Sequence, residues 1–480
     1  MTPRPADIVV VGNGAVGTTT AVALAQKGPD LRVCLVGPSG RPGGASAASG
    51  AMLGCFGEIT ALGLISEAGR RRFELQWAAH RRWPEHLQDL ARDATSPSLA
   101  ACDDTYVLLN ARGGVPDSEN FAAMVRTLAN WDQPFEEVDS VPGLRPNPDA
   151  RPLRALHLRG EGAVDARAVL TALTTRALRL GVDLIDTTVK GVVVTAGAAR
   201  GVVLADGQVV SAGQVVLATG AETTPLLDSV AGPAVQPVLS GFGIAFVTER
   251  VMGPGFPSAV RTVNRAGSCG LHLIPLPGGQ EYIGATNVIF RTPELRPYLG
   301  VLQFLTDCAI DQLDTKLSFS RIDEVRIGNR PVTLDTFPLL GPGPVGDLTV
   351  LTGTGRDGFH AAPEIARLAA AAIIDGEDLF PSVFAPTRAP IFTLTIPESI
   401  DQFVAQQVAS AFEAGIQVTP FLAGDDLGDL FRPLAERLYQ DLGVDRGLHP
   451  DLVNYLCLTR KSEADVKAVV GYLQSLGGGT

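Results

Sequence analysis

Three apolar runs along this chain end in turns of small residues, and they set its pattern. Ile8 to Val11 is a continuous β-branched run without alternation, as a central parallel strand covered on both faces requires. It leads into Gly12-Asn13-Gly14-Ala15-Val16-Gly17, a helix predicted to about Lys27, and a second strand, Arg32 to Val36. Val215 to Leu217 runs into Ala218-Thr219-Gly220 in the same way. Asp347 to Thr352 runs into Gly353-Thr354-Gly355-Arg356-Asp357-Gly358-Phe359-His360, with a helix predicted from about Pro363 to Ile374. Strand, small-residue turn and helix in that order is the unit of a doubly wound α/β sheet. Because its pieces lie early, midway and late in the chain, the domain they form is discontinuous.

The intervening stretches read differently. An amphipathic helix is predicted from Leu64 to about Trp83, stopped by Pro84. Thr105 to Leu109 reads as a strand, Ser118 as the cap of a helix to about Asn130, and Pro142 to Pro152 as a connecting loop. Asp165 introduces a helix to Leu180. Short strands follow at Val182 to Thr188, Val192 to Thr195 and Arg200 to Leu204, with Asp206-Gly207 as a tight hairpin turn. Gly232 to Asp323 alternates strand-like runs with Gly/Pro turns, which suits an antiparallel sheet in a second domain. Beyond Pro390 the pattern turns helical: Ser399 to Ala414, Leu427 to Leu442, Pro450 to Leu458 and Ser462 to Leu476, the last with Ser462 and Asp465 as a cap pair. Phe403, Val404, Val408 and Phe412 recur at helical spacing there, so this all-α appendage has a face to bury.

The G-x-G-x-x-G turn is informative because of its setting between strand and helix. Gly12 allows the tight turn, Gly14 a close approach of pyrophosphate to backbone, and Gly17 close packing of helix on strand, while the helix N-terminus offers free N–H groups. One feature departs from the dinucleotide pattern. The acidic residue that ends the second strand and holds the ribose hydroxyls is Gly37 here, followed by Pro38 and Ser39, so Ser39, backbone groups or water must serve. A run of small residues from Gly44 to Gly54 allows backbone to press against a flat ring system.

Composition narrows the classes. A chain of 480 residues is long enough for two or three domains. Its net charge of −12 argues against a nucleic-acid partner and, less strongly, against an anionic membrane surface. No apolar run has the length of a membrane span, and the first apolar segment ends at once in the glycine turn, unlike a signal peptide. Six cysteines, widely spaced and without a C-x-x-C pair, suggest neither disulfides nor zinc and fit a reducing, cytoplasmic setting. No metal ligand set stands out.

Taken together, these motifs resemble the D-amino-acid-oxidase-like flavoproteins, nearest to their glycine oxidase and thiazole-biosynthesis branch, over residues 7 to about 380. The likeness is carried by Gly12-x-Gly14-x-x-Gly17, the Ser46 to Gly54 loop, Ala218-Thr219-Gly220, His272-Leu273-Ile274-Pro275 with Tyr282-Ile283-Gly284-Ala285-Thr286, Gly328-Asn329-Arg330-Pro331 with Asp335, Pro338 and Gly341, and Gly355-Arg356-Asp357-Gly358. It implies an α/β (α+β overall) fold with a Rossmann-type FAD domain from residues 1–75, 150–231 and 326–385 and an antiparallel-sheet substrate domain from 76–149 and 232–325; the helical domain 391–480, read from its own pattern, lies beyond the likeness. It also implies FAD as cofactor and oxidation of a C–N bond in a small acid or amine. Contacts to the cofactor are expected from Gly12, Gly14, Ala15, Val16, Gly17, Ser39, Ala45, Ser46, Gly50, Ala51, Met52, Val189, Thr219, Gly220, Gly355, Arg356, Asp357, Gly358 and Phe359.

Arg330 stands where the family's carboxylate-binding arginine lies, and its planar fork suits bidentate capture. Arg356 would supply cationic charge to the pyrimidine edge of a reduced flavin. With hydride passing from a neutral amine to flavin N5, no acid–base residue is obligatory. Substrate contacts are expected from Arg330, His272 and Met52. His272 replaces a frequent substrate-lining tyrosine and Leu276 a usual arginine, which points away from plain glycine as substrate. No cysteine lies between Gly328 and Asp335, where covalently flavinylated relatives carry one, so the FAD is expected to be noncovalent. Cys55 reads as packing. A dehydrogenase passing electrons to a carrier, and a hetero-oligomer subunit using its C-terminal helices as an interaction module, are the alternatives; homo-oligomer formation through those helices is also open.

Overall fold

The computed structural model describes residues 4–94, 98–265, 270–284, 286–416, 424–459, 467 and 469–474. Cys269, Ala285 and the Ser462/Asp465 cap pair lie outside them. The first sheet runs in the order Leu339–Pro342, Leu348–Thr352, Val209–Leu217, Ala6–Val11, Val33–Val36, Asp183–Ile185. All its neighbours along this path are parallel except the edge pair Leu339–Pro342 with Leu348–Thr352.

The opening strand shows why its sequence does not alternate. Ile8 and Val10 point into a core shared with helices Ala15–Lys27, Ala166–Arg179 and Gly358–Ala370, while Val9 and Val11 point into a second core under the antiparallel strands Val189–Thr195 and Ala198–Leu204. A strand buried on both faces needs apolar side chains at every position. Its turn is equally constrained: Gly12 has φ +102°, and a Cβ there would stand 2.3 Å from the Ala218 carbonyl oxygen.

Among the described residues the second sheet has ten strands and is antiparallel but for one pair, Ala100–Asn110 with Ala259–Thr262. Strand Val238–Glu249 is its spine, paired along its length with Arg321–Thr333. Met52–Leu53 and Pro152–Val164, which the sequence reading places in FAD-domain spans, pair into this sheet. Their buried positions divide: Leu156, Leu158 and Ala163 pack in the second sheet's cores, whereas Leu53 and Val164 pack in the core of the first sheet.

Two helices differ from expectation. The helix placed at Leu64 to Trp83 runs Glu67–Ala91 through Pro84, because Leu87 and Leu90 continue beyond it the buried stripe that includes Trp83. The helix placed after Ser118 starts at Val115; its cap is Gly114, whose N–H donates to Asp117 Oδ2 at 2.7 Å.

The C-terminal helices Ile396–Glu413, Gly424–Leu442 and Pro450–Cys457 share a core with Leu239, Ile289 and Leu334 of the second sheet's region. Phe403 is fully buried in it. A charged knot ties the same region down. Buried Arg265 pairs with Asp117 and with Glu413, the last residue of the first of these helices. No helix among the described residues is long and apolar enough to cross a membrane.

Candidate functional site

A cavity of about 670 Å³ runs between the two sheets. At one end the turn after the first strand brings Gly12, Gly14, Ala15 and Val16 to its wall, where the N-terminus of helix Ala15–Lys27 opens into it. Helix N-termini stabilise anionic groups through their unpaired N–H donors and dipole. Gly17 lies behind that wall, pressed on the turn: a Cβ there would stand 1.8 Å from the Gly12 carbonyl oxygen. Ser46 fixes the approach of the small-residue loop, its Oγ accepting from Ala15 N at 2.9 Å. Ala45, Ser46, Gly50, Ala51, Met52 and Val189 line the cavity, as do Thr219, Gly220 and the run Gly355 to Phe359.

Ser39 is placed elsewhere. It is exposed, off the cavity wall, with its N–H donating to Asp186 Oδ1 at 2.8 Å. The residue that turns inward is Arg41, at φ +45°. Its Nε donates to the Asn13 carbonyl at 2.8 Å and its Nη2 to Thr174 Oγ1 at 2.9 Å. The Asn13 side chain fills the space beside Gly37, where a Cβ would meet it at 2.6 Å, and donates to the Pro38 carbonyl. The missing acidic residue is thus replaced in space by an asparagine and an arginine from flanking turns.

At the other end stand Arg330, His272 and Met52, all on the wall. Arg330 Nη1 donates to the Thr286 carbonyl at 3.0 Å. Gly243 leaves room for its guanidinium; a Cβ there would lie 2.6 Å from Nη1. His272 stacks on Tyr282 with ring centroids 5.7 Å apart. Burial lowers its pKa to about 4, with Arg261 and Arg330 adding to the effect, so the ring is neutral near pH 7.

Sequence reasoning missed a polar cluster between these groups. Glu58 lines the cavity with its side chain 27% exposed, and its carboxylate pairs with Arg261, whose side chain is only 2% exposed. Asn264 donates to the same carboxylate and accepts from Arg356 Nη1 at 3.3 Å. Burial pushes the Glu58 pKa upward, but Arg261 and Arg356 outweigh it and hold the group at about 2. Glu161 shapes the floor beneath. It accepts from the backbone N–H groups of Cys55, Phe56 and Gly57 at 2.7, 2.6 and 2.8 Å. Cys55 is buried beside it, off the cavity wall, and burial pushes its thiol well above the usual range.

Residues 7–372 match the DAO family, FAD dependent oxidoreductase. The chain belongs to this family. Among curated relatives, it is 28% identical over 379 residues to the bifunctional protein ThiO/ThiG of Trichormus variabilis, covering 77% of this chain and 53% of that protein. It is 26% identical over 376 residues to the glycine oxidase of Bacillus licheniformis, covering 77% and 93%. The chain spans about half the length of the ThiO/ThiG proteins it matches. Among solved structures, glycine oxidase from Geobacillus kaustophilus superposes with TM-score 0.69 at 23% identity, over 80% of this chain and 99% of that one. The family match ends before the C-terminal helices begin.

The cofactor of this family member is FAD, and the cavity fits it. Gly220 and Gly355 line the wall with positive φ, and a Cβ on either would meet no atom within 4 Å, so bare backbone faces the space a ring system needs. The glycine turn and helix N-terminus would hold the pyrophosphate, Arg41 and Asn13 beside that turn would face the adenosine, and Arg356 would face an anionic ring edge.

Proposed function

We propose that this protein oxidises the C–N bond of a small amine or amino acid that carries a carboxylate. The observation that carries the reading is the cavity itself, which joins a phosphate-binding turn at one end to Arg330, His272 and Met52 at the other. Bound noncovalently, FAD would supply the two-electron acceptor. Arg330 would hold the substrate carboxylate, and neutral His272 with Tyr282 would form an aromatic wall beside the reacting carbon. Glu58, kept ionised by Arg261, would orient the amine by accepting its N–H. The relatives named glycine oxidase and ThiO support this chemistry. The wide spacing of the cysteines, without a C-x-x-C pair, supports a reducing, cytoplasmic location.

The test is to purify the chain, release its flavin by denaturation and identify it as free FAD, then screen carboxylated amines for anaerobic flavin bleaching. Peroxide formed on readmitting air assigns oxygen as acceptor. Failure of every such amine to bleach a fully loaded protein overturns the reading.

A further inference from the structure

Arg330, Gly355 and Arg356 line the FAD cavity and also a second, smaller cavity of about 120 Å³ behind it. The far wall of this second space comes from the C-terminal region, through Thr393, Gln402, Gln406 and His449. Gln406 lies on helix Ile396–Glu413, is only 4% exposed, and its Oε1 has no hydrogen-bond partner. Buried acceptors are nearly always satisfied, so this oxygen calls for a donor.

Two of the charges on the wall of this space are already paired, while Arg330 is left for the substrate carboxylate and Glu119 stands exposed. Arg72 Nε pairs with Asp357 at 2.6 Å, and Asp335 pairs with Arg388. Burial depresses the pKa of His449, with Asp451 opposing, which leaves the ring neutral near pH 7. Val332, Leu334 and Phe392 complete an apolar part of the wall. A second full charge entering here would have to be desolvated without a dedicated partner, whereas an uncharged group with an N–H to give finds one waiting.

We infer that the smaller cavity is a distal substrate subsite, built by the C-terminal helices, for an uncharged carboxamide end of a substrate whose carboxylate is held at Arg330, with Gln406 Oε1 accepting the amide N–H. The inference rests on the proposed role of Arg330 and extends it to a substrate longer than glycine. It also gives the appended helices a part in specificity.

The test uses full-length FAD-loaded protein and two unreactive ligands without an amine: glutaramate, with a carboxylate at one end and a carboxamide at the other, and pentanoate. Binding is followed by perturbation of the flavin absorption band and by calorimetry. Glutaramate should bind ~10-fold more tightly than pentanoate, the worth of one good hydrogen bond. Gln406→Leu should remove that preference through weaker glutaramate binding; Gln406→Met serves the same purpose if the leucine variant does not fold. Equal binding of the two ligands by the parent protein, no calorimetric binding of either, or a preference that survives loss of the Gln406 oxygen would overturn the subsite. If the preference holds while no amine bleaches the flavin, the subsite stands and the proposed reaction fails.

Discussion

Glu58 and Arg261 meet on the cavity wall as an unequal pair: the carboxylate is open to the cavity while the guanidinium behind it is sealed from solvent. The arrangement makes the carboxylate the exposed face of a buried charge. Replacing it by Glu58→Gln leaves Arg261 without its anion in a dry site, a change that typically costs about 3–5 kcal/mol. The variant should melt at lower temperature and bind amine substrates more weakly. Unchanged melting together with unchanged KM would show that the pair contributes to neither.

The same pair fixes a pH dependence. Because the Glu58 pKa is depressed from 4.5 to about 2, its contribution to stability is present above pH 4.5 and is lost as pH falls through 2. Glu58 should therefore give no inflection in the kcat/KM profile between pH 5 and 9. A limb in that range that disappears in Glu58→Gln would contradict this assignment.

Histidines act at milder acidity. His86, His272 and His360 are each lowered from 6.5 to about 4 by burial. The unfolded chain takes up their protons first, so the stabilisation is whole above pH 6.5 and is lost as pH falls through 4. Near pH 5, unfolding should be accompanied by uptake of ~3 protons from these rings. Denaturant titrations at pH 7.5, 6 and 5 would show a falling free energy of unfolding, with a smaller slope in His86→Gln. A flat response between pH 7 and 5 would rule the account out.

What was legible in the sequence was local. The turn Gly12 to Gly17 and the strand before it were readable because a doubly covered strand and a tight turn restrict residue type at each position. The Arg330 assignment came from a motif, and the strand carrying it pairs with Val238–Glu249 as one regular ladder apart from a single register shift. Glu58, Arg261 and Asn264 were not readable as a site, since residues about two hundred positions apart meet only through the pairing of distant strands within the second sheet. The available hint was a lone carboxylate, Glu58, in the otherwise uncharged stretch from Gly43 to Ser66. Ser39 is the expected contact for its hydroxyl near the strand end, but the positive φ of Arg41 swings the chain so that the arginine faces inward.

Arg330→Ala should raise KM for a carboxylated substrate far more than it weakens FAD, since stranding a buried charge costs about 2–5 kcal/mol. Gly243→Ala offers an independent check. Its new methyl would lie 2.6 Å from Arg330 Nη1 and 2.7 Å from the Thr286 carbonyl that holds it, displacing the guanidinium without removing it. Both variants should keep their flavin and lose affinity for the acid. Flavin loss in Arg330→Ala with normal residual kinetics would mark the arginine as structural.

The C-terminal helices bear on stability as well as on the distal cavity. Their core is completed by Leu239, Ile289 and Leu334 of the rest of the protein, and Arg265 bridges Asp117 to Glu413 across the same junction with all three side chains at most 6% exposed. Removing residues 391–480 would bare those apolar side chains and strip Arg265 of one of its two anions. Truncated protein should therefore aggregate or melt well below the full chain. Glu413→Gln isolates the ionic part. It leaves the apolar junction intact but uncovers a buried charge, and should lower stability by about 3 kcal/mol, toward the low end for a broken buried pair because Asp117 remains. Equal stability of the truncated and full-length proteins would mean that the helices fold as an independent unit, and the loss in Glu413→Gln would then have to be absent as well.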